Sequence, residues 1–153
     1  MKIIYVHHAE RDRNKNIVDS KLMQEDDITE RGIKEATLFS ETLKKFKIKA
    51  IITSPYKRCL HTAQIINQNI NAPIYFDDRF NEIDMEWKEA LKLNMQAIDD
   101  IVKKYEEDDT IICVTSGVNI SAFICYFYKI EPNNNIPYTQ ACGISPVIFN
   151  YKK

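Results

Sequence analysis

Apolar residues in this chain fall into two patterns: short unbroken runs rich in β-branched residues, and longer stretches where they recur every three or four positions. Lys2–Val6, Lys49–Thr53 and Thr110–Thr115 are runs of the first kind and predict buried strands of a parallel sheet. Val147–Tyr151 predicts a last strand, and Ile74–Phe76, placed after Pro73, a further one. The second pattern predicts helices between them. Thr29 is a good N-cap for a helix whose Ile33, Ala36, Ser40 and Leu43 lie on one face. Ser54-Pro55 reads as a helix start, because proline tolerates the first helical position and serine caps it. That helix is expected to run to about Asn69, with Leu60, Ala63, Ile66 and Ile70 on its buried side. Two more are expected over Trp87–Glu106 and Gly117–Tyr128, and the segment from Glu131 to Pro137 carries turn chemistry. Strands alternating with helices predict a three-layer α/β/α sandwich with a mainly parallel central sheet. In such sheets, sites form outside the carboxyl ends of the strands. There His7 and His8 end the first strand, Ser54 and Arg58 follow the second, and Thr115 and Ser116 end the third.

Composition narrows the function classes. A chain of 153 residues fits a single domain over 1–153, and 44% hydrophobic with 28% charged residues argues against disorder. A net charge of −1 gives no electrostatic footprint for nucleic acid. The apolar runs are far too short to span a bilayer, so no membrane association is expected. Met1–Val6 reads as a first strand and not a signal peptide, since polar residues follow at once. None of Cys59, Cys113, Cys125 and Cys142 forms a C-x-x-C pair, and Cys113 and Cys125 lie inside apolar runs. A reducing, cytoplasmic setting is expected. No cysteine has an arginine six positions on, and three glycines provide no phosphate-cradling G-x-x-x-x-G-K-[ST] loop. His7 and His8 are adjacent and His61 is remote, which is no metal-ligand spacing, so neither metal nor cofactor is expected. The acidic clusters Glu25-Asp26-Asp27 and Glu106–Asp109 are expected to be solvated loops, and His61 a plain exposed helix residue. Trp87, Phe123, Tyr126, Phe127 and Tyr128 are expected to be core or helix-packing residues.

Two stretches carry the chemistry: His7-His8-Ala9-Glu10, with Asn14 a few residues on, and Ser54-Pro55-Tyr56-Lys57-Arg58-Cys59-Leu60-His61-Thr62-Ala63. A strand-end histidine followed by an arginine in a first helical turn suits a phosphate pocket. Thr29-Glu30-Arg31-Gly32, the segment from Phe80 to Trp87 and Val114-Thr115-Ser116-Gly117 come in the same order along the chain. Together they resemble the motifs of the histidine phosphatase (phosphoglycerate mutase-like) superfamily. Those read Arg-His-Gly-Glu with a later Asn, Thr-x-x-Gly, Ser-Pro-x-x-Arg-x-x-x-Thr-Ala, Leu-x-Glu-Ile-x-x-Gly-x-Trp and Val-Ser-His-Gly. The second stretch matches every named residue. The Phe80–Trp87 segment is one residue shorter than its counterpart and lacks its glycine.

The resemblance implies a hydrolase forming a phosphohistidine at His8, with Arg58, His7, Asn14 and Ser116 around the phosphate and Glu82 as general acid and then base. Arg58 offers a planar fork to two phosphate oxygens, which lysine does not equal. Two substitutions thin the charge around the phosphoryl group: His7 stands at the family's first arginine and Ser116 at its second histidine. Losing one preorganised charged donor costs about 2.7–4 kcal/mol of transition-state stabilisation, so reduced activity is implied. If His7 supplies the missing charge, turnover should fall above about pH 6.5. Between Glu82 and Thr110 lie 27 residues, most of them in one helix, which leaves little room for a covering insertion. An open pocket suits a phosphoprotein or a range of phosphomonoesters, as in the short bacterial phosphohistidine phosphatases, and argues against a mutase. The alternative is a catalytically impaired relative that binds a phosphorylated ligand or partner protein without turning it over.

Overall fold

The computed structural model describes residues 1–13, 25–81, 85–137 and 143–152. Its strands are β1 (Lys2–His7), β2 (Ile48–Thr53), β3 (Ile74–Phe76), β4 (Thr110–Thr115) and β5 (Pro146–Asn150). Its helices are α1 (Glu30–Leu43), α2 (Lys57–Asn67), α3 (Trp87–Lys104) and α4 (Gly117–Tyr128), with a short 3-10 turn at Asp78–Phe80. The sheet order is β3-β2-β4-β1-β5, parallel throughout except for antiparallel β5.

The two-residue period of the strands divides the core between the sheet's faces. Ile3, Tyr5, Ala50, Ile52, Ile111 and Cys113 pack against Leu91, Ala97, Ile98 and Ile101 of α3 and Phe123 of α4. Ile4, Val6, Ile51, Ile112 and Val114 pack against Leu43 of α1 and Cys59, Ala63 and Ile66 of α2. This is the three-layer sandwich expected from the alternation of runs and periodic stretches. β4 is buried at all six positions because strands and helices cover it on every side. The register aligns His7 with Thr115 and Thr53 with Val114, so the carboxyl ends of β1, β2 and β4 finish level.

Several boundaries differ from the expectations, each for a local reason. β1 continues one residue further, to His7. α2 starts at Lys57 and not at Pro55, with the Ser54 hydroxyl accepting from the Tyr56 N–H at 3.4 Å. The Ser54 N–H donates to Val114 O at 3.2 Å and its hydroxyl to Asn81 Oδ1 at 3.1 Å, leaving Tyr56 as the N-cap. Leu60 and Ile70 are only half-buried, while the buried face of α2 includes Arg58 and Thr62 beside Cys59, Ala63 and Ile66. On α1, Gly32 takes the core-facing place expected of Ile33, which is exposed. A Cβ on Gly32 would meet Glu10 O at 2.7 Å, so only glycine lets this helix approach the chain after β1. α3 stops at Lys104, where Tyr105 turns extended. Of the aromatics expected to pack, Phe123 is buried, Trp87, Tyr126 and Phe127 join the same core, and Tyr128 is exposed.

Candidate active site

Six segments meet at the carboxyl end of the sheet: the ends of β1, β2 and β4, the first turns of α2 and α4, and the stretch before β5. His7, His8, Thr53, Ser54, Arg58, Thr115 and Ser116 are all buried there. So many buried polar groups at one place require partners, and the partners define the site.

His8 follows β1 directly, its N–H held by Thr115 O at 2.9 Å. Its ring Nδ1 lies 2.8 Å from Ala9 O. A carbonyl only accepts, so Nδ1 carries the proton and Nε2 carries the lone pair. Burial pushes the ring's pKa down to about 2, helped by the neighbouring His7, Arg58 and Arg11. The imidazole is therefore neutral and nucleophilic at Nε2 under ordinary conditions. His7 continues the parity of Ile3 and Tyr5, with its ring centroid 4.1 Å from that of His8. Its Nδ1 donates to His8 O at 2.9 Å and Gly143 O at 3.1 Å. Burial lowers its pKa too, against those hydrogen bonds and with a contribution from Arg58. His7 thus stands beside His8 as a neutral ring, and any charge it gains on titration comes below pH 6.5.

Arg58 is the largest fully buried side chain, in the first turn of α2, its guanidinium carbon 4.6 Å from the centre of the Tyr56 ring. Its positive charge reaches both histidines. Ser116 caps α4, whose N-terminus adds a partial positive charge. The Ser116 N–H donates to Asn119 Oδ1 at 3.0 Å and its hydroxyl points to the same oxygen at 3.5 Å, while Tyr5 donates to its carbonyl. Of the residues singled out in the sequence, His7, His8 and Arg58 come together with Ser116 at the level strand ends. Asn14 and Glu82 lie outside the described residues, as does Cys142.

Other groups at the site escaped the sequence reading. The Thr62 hydroxyl donates to Arg58 O at 2.7 Å and accepts from the Ala9 N–H at 3.0 Å, pinning the His8 loop to the helix that carries Arg58. The threonine of the motif was visible, but its second bond spans 53 residues and no local pattern reports it. Gly143, at φ +82, presents the carbonyl that holds His7. A side chain there would be strained, and its Cβ would meet the Glu35 carboxylate at 2.6 Å.

Asp26 and Asp27, expected as part of a solvated loop, form a clasp instead. Asp26 is buried against Arg11 Nε at 2.9 Å. Asp27 accepts from His61 Nδ1 at 2.7 Å and lies 3.7 Å from Lys57 Nζ. Burial acts to raise the Asp27 pKa, but the hydrogen bonds from His61 and the Ile28 N–H outweigh it and leave the carboxyl below its usual range. His61 is half-buried by this pairing and not the plain surface residue expected. Among the described residues no cluster of three or more His, Cys, Asp or Glu side chains is placed to hold a metal, and no helix is long and apolar enough to cross a membrane.

Known proteins resemble this chain in sequence and in fold. A model of the histidine phosphatase superfamily (branch 1) matches residues 3–94. The chain belongs to this superfamily. A 2,3-bisphosphoglycerate-dependent phosphoglycerate mutase of Thermoplasma acidophilum is 35% identical over 95 residues, covering 61% of this chain and 48% of that protein. Phosphoserine phosphatase 1 of Hydrogenobacter thermophilus is 32% identical over 109 residues, covering 71% of this chain and 48% of that protein. The chain thus spans about half the length of the curated relatives it matches. The structure of Bacillus stearothermophilus YhfR superposes with a TM-score of 0.75 over 95% of this chain and 89% of that one, at 21% identity, a likeness of fold.

Proposed function

We propose that this chain is a phosphatase that passes a phosphoryl group from a phosphomonoester to His8 and then to water. The observation that carries the reading is the His8 ring: Nδ1–H is fixed on Ala9 O, and the ring is held neutral beside Arg58, so its Nε2 lone pair is available. In the first step Nε2 attacks phosphorus, the N–P bond forms, the ester P–O bond breaks, and Glu82 gives its proton to the leaving oxygen. In the second step water attacks phosphorus, Glu82 takes a proton from it, the N–P bond breaks, and phosphate leaves with the His8 ring restored. Arg58 neutralises equatorial oxygen charge, assisted by Asn14, Ser116 and the N-terminus of α4, while His7, whose one ring proton is held by backbone carbonyls, would join them only when protonated. The substrate is a phosphorylated small molecule or a phosphoprotein.

Hydrolysis of p-nitrophenyl phosphate by wild type, His8→Ala and Arg58→Ala tests the reading. His8→Ala should abolish turnover, Arg58→Ala should lower kcat/KM by about 10²–10³-fold, and an acid-labile phosphoenzyme should accumulate in the wild type on rapid quenching. Turnover that survives His8→Ala sinks the phosphohistidine route. A second reading, binding without turnover, draws on the neutral His7 and on a Ser116 hydroxyl already turned to Asn119. It is favoured if vanadate stabilises the fold in an Arg58-dependent way while no phosphomonoester is hydrolysed.

A further inference from the structure

A transferring phosphoryl group carries close to two negative charges, and both imidazoles beside it are held neutral. Arg58 supplies one fixed cation, which leaves one charge to be met. The chain after His8 provides a second guanidinium. Arg11 forms an antiparallel bridge with Ile28, flanked by Asp12 N–H to Asp27 O at 2.8 Å and Thr29 N–H to Glu10 O at 2.9 Å. That short ladder holds Arg11 three residues from His8, with its side chain largely buried. Its Nε lies 2.9 Å from an Asp26 carboxylate oxygen as an ion pair without the alignment of a hydrogen bond, and the planar fork carries two further amino groups that suit an anion.

We propose that Arg11 is the second phosphate-binding cation of the site, held on the Asp26 carboxylate and presenting its terminal amino groups to the phosphoryl oxygens. The inference rests on the phosphatase reading above and names a residue that reading does not use. Two properties of the resting protein agree with it. Burial and repulsion by Arg58 and Arg13 make Arg11 a weaker base against the pull of Asp26, and its charge in turn helps keep His8 neutral. Like charges gathered this closely repel until an anion arrives, so binding phosphate relieves the repulsion. Lys57 is less suited, being exposed and directed toward Asp27.

Removing Arg11 alone would strand a buried carboxylate, so Arg11→Gln is paired with Arg11→Gln/Asp26→Asn, which removes both charges. Vanadate affinity and kcat/KM for p-nitrophenyl phosphate are measured for these, for Arg11→Lys and for Arg58→Ala, with the ligand-free Tm as a check on folding. The double variant should keep its Tm, bind vanadate about 10²-fold more weakly and lose a similar factor in kcat/KM, with Arg11→Lys recovering part of both. Wild-type vanadate affinity in the double variant, with binding still abolished by Arg58→Ala, overturns the role of Arg11 and leaves the phosphatase reading standing. A wild type that neither binds vanadate nor hydrolyses the ester overturns both.

Discussion

Two arginines at the carboxyl edge of this sheet behave in opposite ways. Arg79, just past β3, is gripped by Asp77 through Nε at 2.9 Å and a terminal nitrogen at 2.7 Å, and by Asp100 at 2.6 Å. Hydrogen bonding to those carboxylates raises its pKa further, and a third of its side chain is exposed. Arg58, just past β2, is fully buried, stacked on Tyr56, with its charge falling on His7 and His8. Around Arg79 the charge is cancelled locally and holds a turn against α3. Around Arg58 it falls on two imidazoles, adding to the burial that lowers their pKa values. The surroundings of the guanidinium, and not its presence near a strand end, separate a structural corner from a site.

The sharpest way to break this contrast is to remove each arginine. Arg58→Ala should lower kcat/KM for an aryl phosphate by about 10²–10³-fold. Arg79→Ala, outside the site, should leave kcat/KM within about twofold in the same assay. Next in size is Thr62→Val, which keeps the shape but unpins the His8 loop from α2. A small misplacement of the two should reduce kcat/KM by about 10- to 10²-fold, while Thr62→Ser, which keeps both bonds, restores it. A stability loss with unchanged turnover would make Thr62 a packing residue only.

Titration sharpens the contrast further. His8 has a folded pKa near 2 against an ordinary 6.5, so the unfolded chain binds the extra proton first as pH falls. Stability is therefore whole above pH 6.5 and declines below it, by about 2 kcal/mol at pH 5 from His8 alone. His7 acts in the same direction. Denaturant unfolding at pH 7 and pH 5 should show this loss, and His8→Ala should shrink it; an equal loss in that variant would place the proton elsewhere. The smallest effect belongs to the corner: Arg79→Ala should cost about 1 kcal/mol, lowering Tm by about 2–4 °C with no dependence on pH between 5 and 7.

The layers of this fold are legible in the sequence because burial imposes a period. The run Thr110–Thr115 and the presence of the four helices follow from that alone, while the buried faces of α1 and α2 were legible only in part. Where the pattern misleads, a long-range bond intervenes. Ser54-Pro55 has the chemistry of a helix start, but Ser54 is also bonded to Val114 and Asn81 across the fold, and the helix begins at Lys57. His8 and Arg58 stand out because each has a strand before it and a characteristic neighbour after it. Arg11, Asp26 and Asp27 do not, since acids beside bases on a polar stretch read as solvated surface unless their partners in space are known. His7 is a middle case: its position was visible, while its neutrality depends on burial and its tautomer on carbonyls that include Gly143, 136 residues away in the chain.

That last contact has a consequence in time. β5 is an edge strand, paired within the sheet to β1, and the segment leading into it carries the Gly143 carbonyl that, with the His8 carbonyl, holds the His7 proton on Nδ1. Edge strands open locally more readily than central ones. Each opening of β5 would release that carbonyl, leave the proton to the His8 carbonyl alone and so ease rotation or tautomer exchange of the His7 ring. The lifetime of the His7 tautomer is then tied to the exchange rate of the β5 amides, so slow motion at the rim of the sheet is written into the nitrogen resonances of a buried ring.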